Sequence, residues 1–387
     1  MWFIFASTVY GVLLALDPLL FTYIAYMLSA NGVYLGVLSA IWSVAYVLCN
    51  KLSGSLADNG HNKVLVVLAL TSAIPIPILL RSLNYITAIL AYMLHALATA
   101  FLNLAISVTV LESIESSYWD RVNLVNRIIK SFSRGLTLTI MAFLGINALN
   151  GAFYATLFMM LIVPVVLPPI YMSFERRFYA FEKTLNRVGM YIKASASLLY
   201  LDQPRIASDV FAKAWNSYER VSPVRVLIGV AGAVAIGDYV FSVIPLVLKE
   251  RLQLTALWAA YGFAALIAIF PILVLSNVKA FGMRKAFAIF MTRLLLLILG
   301  FSFLLNTTSL MLYVIASSTL FMLLDIILYN TYVYMQAGFG ISNYFIAREL
   351  GSIVGSILGG IAIGLGLHVF LLLAILLGLV TSLPLVI

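Results

Sequence analysis

The feature that most constrains this chain is a succession of long apolar runs, near 2–28, 33–52, 64–80, 84–111, 128–147, 151–173, 226–248, 254–276, 285–305, 309–334, 345–366 and 368–386. A helix needs about 20 predominantly apolar residues to cross the hydrocarbon of a bilayer. The fold class expected is therefore an all-α polytopic membrane protein of about 12 transmembrane helices. Of the 387 residues, 64% are hydrophobic and only 10% are charged, which excludes a soluble domain. The first run, from Trp2, has no basic leader or small-residue cleavage site and reads as a span rather than a removable signal peptide.

A formal net charge of +9 would suit nucleic acid, but the basic residues sort by connection. The even-numbered connections carry Lys51 and Lys63, then Arg121, Arg127, Lys130 and Arg134. A dense set follows between Arg176 and Arg225, then Lys279, Arg284 and Lys285, and finally Arg348. The odd-numbered ones hold Arg81, Lys249 and Arg251, and Arg293 falls inside a span. The positive-inside rule assigns the even side, with both termini, to the cytoplasm. The expected location is the cell membrane, with lipids rather than nucleic acid as surroundings. The polar stretch 175–223 reads as a cytoplasmic linker attracted to the anionic inner leaflet. It separates two units of six spans, 1–174 and 224–387. The lone Cys49 excludes an internal disulfide and a cysteine metal cluster, so no cofactor or metal is expected. A monomer is the expected oligomeric state.

The two units repeat. One offset superposes Gly11 on Gly232 and Asp17 on Asp238. An offset one residue longer superposes Leu35 on Leu257, Gly60 on Gly282, Lys63 on Lys285 and Asn103 on Asp325. Parallel repetition of a six-helix unit is a transporter architecture.

Between the second and third spans stands Gly54-Ser55-Leu56-Ala57-Asp58-Asn59-Gly60-His61-Asn62-Lys63. Its Gly54, Leu56, Ala57, Asp58, Gly60 and Lys63 match the cytoplasmic signature loop of the major facilitator superfamily, which the chain resembles in span count, central linker and repeat. Asn59, His61 and Asn62 depart from it, since family members usually carry Arg or Lys there. The second-half counterpart, Ser276 to Lys285, has Ala280 in place of the acid. The resemblance implies two pseudo-symmetric six-helix bundles, with helices 1, 4, 7 and 10 lining a cavity and alternating access by rocking. It makes Gly54, Asp58, Gly60 and Lys63 a gating loop, with Arg121 as a candidate partner of Asp58.

Ionisable residues inside spans are functional hypotheses by default. Five stand out: Asp17, His95, Asp238, Arg293 and Asp325. Asp17 and Asp238 lie near mid-membrane at equivalent positions and are candidate proton carriers, because a closing cavity penalises only the charged form of a carboxylate. Arg293 and Asp325 each lie about 12 Å from the inner end of their spans, by helical rise, and are expected to pair. His95 admits two readings, a neutral imidazole bound to a neighbouring helix and a ligand or proton group. Asn103 and Asn330 are expected interhelical hydrogen-bond partners. Gly351, Gly355, Gly359, Gly360 and Gly364 have the small-residue spacing of close helix packing.

The function expected is secondary active transport of a small solute, with or without proton coupling. Three intramembrane carboxylates against one Arg favour a cationic or neutral solute. The alternative is a polytopic enzyme acting on lipid-linked substrate around Glu112, Glu115, Asp120 and Arg121. No Gly-x-Ser-x-Gly or His-Glu-x-x-His pattern supports catalysis.

Overall fold

A computed structural model describes residues 2–58, 61–114, 119–168, 223–247, 251–270, 273, 283–302, 307–335 and 341–386. Every long element among them is a helix: α1 (Trp2–Met27), α2 (Gly32–Asp58), α3 (Asn62–Ala73, resuming as Ile76–Arg81), α4 (Tyr85–Ser113), α5 (Trp119–Leu144) and α6 (Leu149–Val166). The second half supplies α7 (Pro223–Phe241, resuming as Ile244–Val247), α8 (Arg251–Ile267), α9 (Met283–Ser302), α10 (Thr307–Met335), α11 (Ile341–Gly364) and α12 (Leu367–Val386). Nine of these spans are long and apolar enough to cross a membrane. Of the other three, α8 is shorter, and α5 and α9 carry more basic residues. The chain is a multi-pass membrane protein.

Local chemistry explains several boundaries. The break in α3 falls at Pro75, which cannot donate a backbone hydrogen bond. Asn84 caps α4 by accepting from the amides of Ile86 and Thr87, while Thr87 Oγ1 accepts from the Asn84 amide. Two helices are longer than the apolar runs announce. α2 continues through Gly54 to Asp58, and α5 starts at Trp119, so Arg121, Arg127, Lys130 and Arg134 stand in a helix rather than a connection.

The pairing of helices in the first half recurs in the second. α1 packs on α4, α5 and α6, as α7 packs on α10, α11 and α12. The pairs α2–α4 and α3–α4 are echoed by α8–α10 and α9–α10. The halves meet along two seams, α2 against α11 and α5 against α8, and form one compact unit. The repeat seen in the sequence is thus a repeat of packing. The linker 175–223 lies outside the described residues except for its last one.

Small residues allow both faces of α11 to approach their neighbours. A Cβ on Gly351, Gly355 or Gly359 would strike the carbonyl oxygens of Ala231, Ala235 and Tyr239 on α7. On the opposite face Gly360 meets Gly32 of α2, Ser39 and Ser356 are hydrogen-bonded at 2.9 Å, and Ser43 and Ser352 at 2.8 Å. These glycines pack helices, as their spacing predicts, and Gly364, with open space around it, takes no part.

Candidate functional site

A cavity of about 700 Å³ lies between the halves. Asp17 of α1 and Asp238 of α7 both open onto it. Asp17 accepts a hydrogen bond from Tyr92 Oη of α4 at 2.7 Å. Pro18 removes the amide that the Leu14 carbonyl would otherwise accept from, and both residues line the cavity. The expectation of lining by α1, α4, α7 and α10 is too narrow. α2 adds Trp42 and Tyr46, α5 adds Arg127, Lys130 and Arg134, α8 adds Tyr261, and α11 adds Arg348 and Glu349.

The electrostatic balance is also different from that expected. Against Asp17, Asp238, Asp325 and Glu349 the wall carries five cations, Arg127, Lys130, Arg134, Arg293 and Arg348. The premise for a cationic or neutral solute, one Arg among carboxylates, does not hold in this cavity.

Arg293 and Asp325 have other partners than each other. Asp325 accepts from Tyr344 Oη at 3.0 Å and faces Arg348 Nη1 at 3.7 Å. Arg293 is 7% exposed and donates from Nε to Ser317 Oγ at 3.1 Å and from Nη1 to the Ala233 carbonyl. Its guanidinium lies 4.8 Å from the centre of the Phe321 ring. Gly237 makes this seat possible, since a Cβ there would stand 2.7 Å from Nη2. Carbonyl, hydroxyl and π face hold the guanidinium, and Asp325 pairs with Arg348 instead, so the pairing expected from depth alone is not formed.

His95 is fully buried and stands behind the cavity wall. Trp42 Nε1 lies 3.3 Å from His95 Nδ1, and His95 Nε2 lies 3.0 Å from the Leu13 carbonyl oxygen. Indole N–H can only donate and a carbonyl can only accept. The ring therefore accepts at Nδ1, donates at Nε2 and is neutral in this arrangement, which fits the first of the two readings left open by the sequence.

The signature region is partly described. Asn62 is buried, donating to Thr109 Oγ1 at 2.9 Å and to the Pro168 carbonyl at 3.0 Å, and so ties the start of α3 to the ends of α4 and α6. A neutral amide suits that buried place, where the family usually carries a cation. Lys63 is exposed. Gly60 and the side chains of Asp58 and Arg121 lie outside the described residues, as do those of Glu112, Glu115, Asp120 and Asn330. Gly54 is described only as part of α2.

The cavity is closed differently at its two ends. At the end where α1 and α7 finish, Phe21 and Phe241 stack at 4.8 Å and Trp258 Nε1 donates to Thr22 Oγ1 at 2.8 Å. The two interhelical seams, with their glycine and serine contacts, run beside them. Toward the end that carries the termini the halves touch through side chains. Arg127 lies over Tyr329 at 4.8 Å, and Ile326 packs on Leu124 and Ile128.

No family model and no curated protein matches the sequence. Solved structures do match. The partially occluded inward-open xylose transporter XylE from E. coli superposes with a TM-score of 0.65 at 11% identity, over 99% of this chain and 97% of that one. The nucleoside transporter NupG gives 0.60 at 14% identity, over 99% and 96%. A POT family transporter in complex with a thioalcohol-conjugated peptide gives 0.62 at 12% identity, over 99% and 94%. At such identities the likeness is one of fold.

Proposed function

We propose that this chain, which has the major facilitator fold of twelve helices in two pseudo-symmetric bundles, is a secondary transporter, not an enzyme, moving a small solute across the cell membrane by alternating access. The observation that carries this reading is the cavity between the halves, with Asp17 and Asp238 at equivalent positions on its wall. The similar structures, a xylose transporter, a nucleoside transporter and a POT family transporter in complex with a thioalcohol-conjugated peptide, support it. In this account 1–174 and 224–387 rock about the cavity. The termini and the 175–223 linker face the cytoplasm, where most basic residues lie, and Asp58 with its loop steadies one closed state.

Asp17 and Asp238 couple proton movement to solute movement. A carboxylate facing a wet cavity is charged, and closure that expels water favours its neutral form, so protonation eases closure. The test is uptake in reconstituted vesicles. Asp17→Asn and Asp238→Asn keep size and remove titration, and are expected to abolish uphill uptake driven by a pH gradient while sparing solute exchange. If both variants accumulate solute as the parent does, the acids are structural and coupling lies elsewhere.

A further inference from the structure

Arg127, Lys130 and Arg134 all line the cavity from α5. Their spacing of three and four residues puts them on one helix face, over about 10 Å of axis. Ser7 of α1 helps fix that face, donating to buried Asn126 at 2.6 Å. Among the described residues no carboxylate lies within ion-pair distance of the three; the ion pair found there is Arg348 with Asp325. Arg127 rests on the Tyr329 ring at 4.8 Å and Lys130 on the Tyr10 ring at 4.4 Å, with Lys130 Nζ also 3.4 Å from Asn103 Oδ1. The Nε of Arg134 is buried with no hydrogen-bond partner. Aromatic faces and an amide hold cations in place without neutralising them, and a desolvated, uncompensated charge is costly until an anion arrives. Two of the four acids on the wall have other company: Tyr92 donates to Asp17, and Arg348 and Tyr344 engage Asp325.

Building on the transport reading, we infer that the solute is a small organic anion, whose carboxylate or phosphate oxygens are received by Arg127, Lys130 and Arg134. Arg suits this role because its planar fork binds such groups in pairs of hydrogen bonds, with Lys130 between the two as a point charge.

The experiment is thermal stabilisation of the purified full chain in detergent by matched probes: succinate, glycerol 3-phosphate and inorganic phosphate against glycerol and putrescine. A binder of the folded state raises the melting temperature. Succinate, a phosphate probe or both are expected to raise it, with the two anion classes separating carboxylate from phosphate recognition, and glycerol and putrescine to leave it unchanged. K130Q and R134Q are expected to weaken the anion effect about tenfold to a hundredfold in the concentration required, as for loss of a charged hydrogen bond, and K130R to restore part of it. Should K130Q fail to fold, R127Q carries the same expectation. Stabilisation by glycerol or putrescine alone, by none of the probes, or by anions equally in parent and K130Q overturns the inference. A neutral or cationic solute carried into vesicles while anions stay outside also overturns it, and leaves the transport reading standing.

Discussion

Arg348 of α11 meets Asp325 of α10 at 3.7 Å, and the position equivalent to Asp325 in the first half, Asn103 of α4, is met in the same way by Lys130 of α5 at 3.4 Å. Each half thus ties the helix carrying a polar group to the helix that follows it. Only the second half neutralises the charge. The first half keeps its cation, and that asymmetry gives the cavity a positive wall.

The Asp325–Arg348 pair is partly buried, with side-chain exposures of 11% and 30%. Its coupling is expected at about 1–3 kcal/mol, between exposed and buried pairs. A double-mutant cycle with Asp325→Asn and Arg348→Gln should be non-additive by that amount. The cycle of Asp325→Asn with Arg293→Gln should be additive within about 0.5 kcal/mol. The reverse pattern in denaturation would restore the pairing expected from sequence.

Two glycines of α11, Gly355 and Gly364, have opposite expectations. At Gly355 an added methyl strikes the Ala235 backbone, so Gly355→Ala should cost about 1–3 kcal/mol by overpacking. At Gly364 it meets open space, so Gly364→Ala should be neutral or stabilising by up to about 1 kcal/mol, the helix preference of Ala over Gly. Melting temperatures of the two variants measure the difference. Equal losses would mean that contact with α7 does not decide the glycine spacing.

The legibility of the chain follows from the reach of each signal. Spans are read from local hydropathy, and Asp17 and Asp238 from the repeat, so both were visible. The cations of α5 were not. Counting them as connection residues satisfied the positive-inside rule, although Lys130 and Arg134 fall inside the apolar run that starts near 128. Their spacing on one face was the available signal, because a solvated loop has no reason to keep helical periodicity. The partners of Arg293 were out of reach for another reason. Equal depth permits a pair but says nothing about which helix faces which, and Ser317 and the Ala233 carbonyl become neighbours only when α9 packs on α10 and the Arg293 side chain reaches across to α7.

For His95 the hydrogen-bond directions fit a neutral imidazole that ties α4 to α1 and α2. His95→Gln should lower stability by about 1–2 kcal/mol, as one buried hydrogen bond is weakened. It should leave the pH midpoint of transport where the parent has it. A displaced midpoint in vesicle uptake would return His95 to the proton pathway.

Alternating access is the central claim, and the α2–α11 seam gives it the most direct test. Ser39 and Ser356 Oγ atoms lie 2.9 Å apart, so the two side chains face each other across the seam and are the pair to bridge by a disulfide. Ser39→Cys with Ser356→Cys, in a Cys49→Ser background, should cross-link on oxidation and pin shut the end at which α1 and α7 finish. The measurement is solute exchange by the oxidised protein in vesicles, before and after reduction. The account predicts that exchange stops when the seam is bridged and returns when the bridge is reduced. Exchange that continues at the parent rate through a fully cross-linked seam would contradict it.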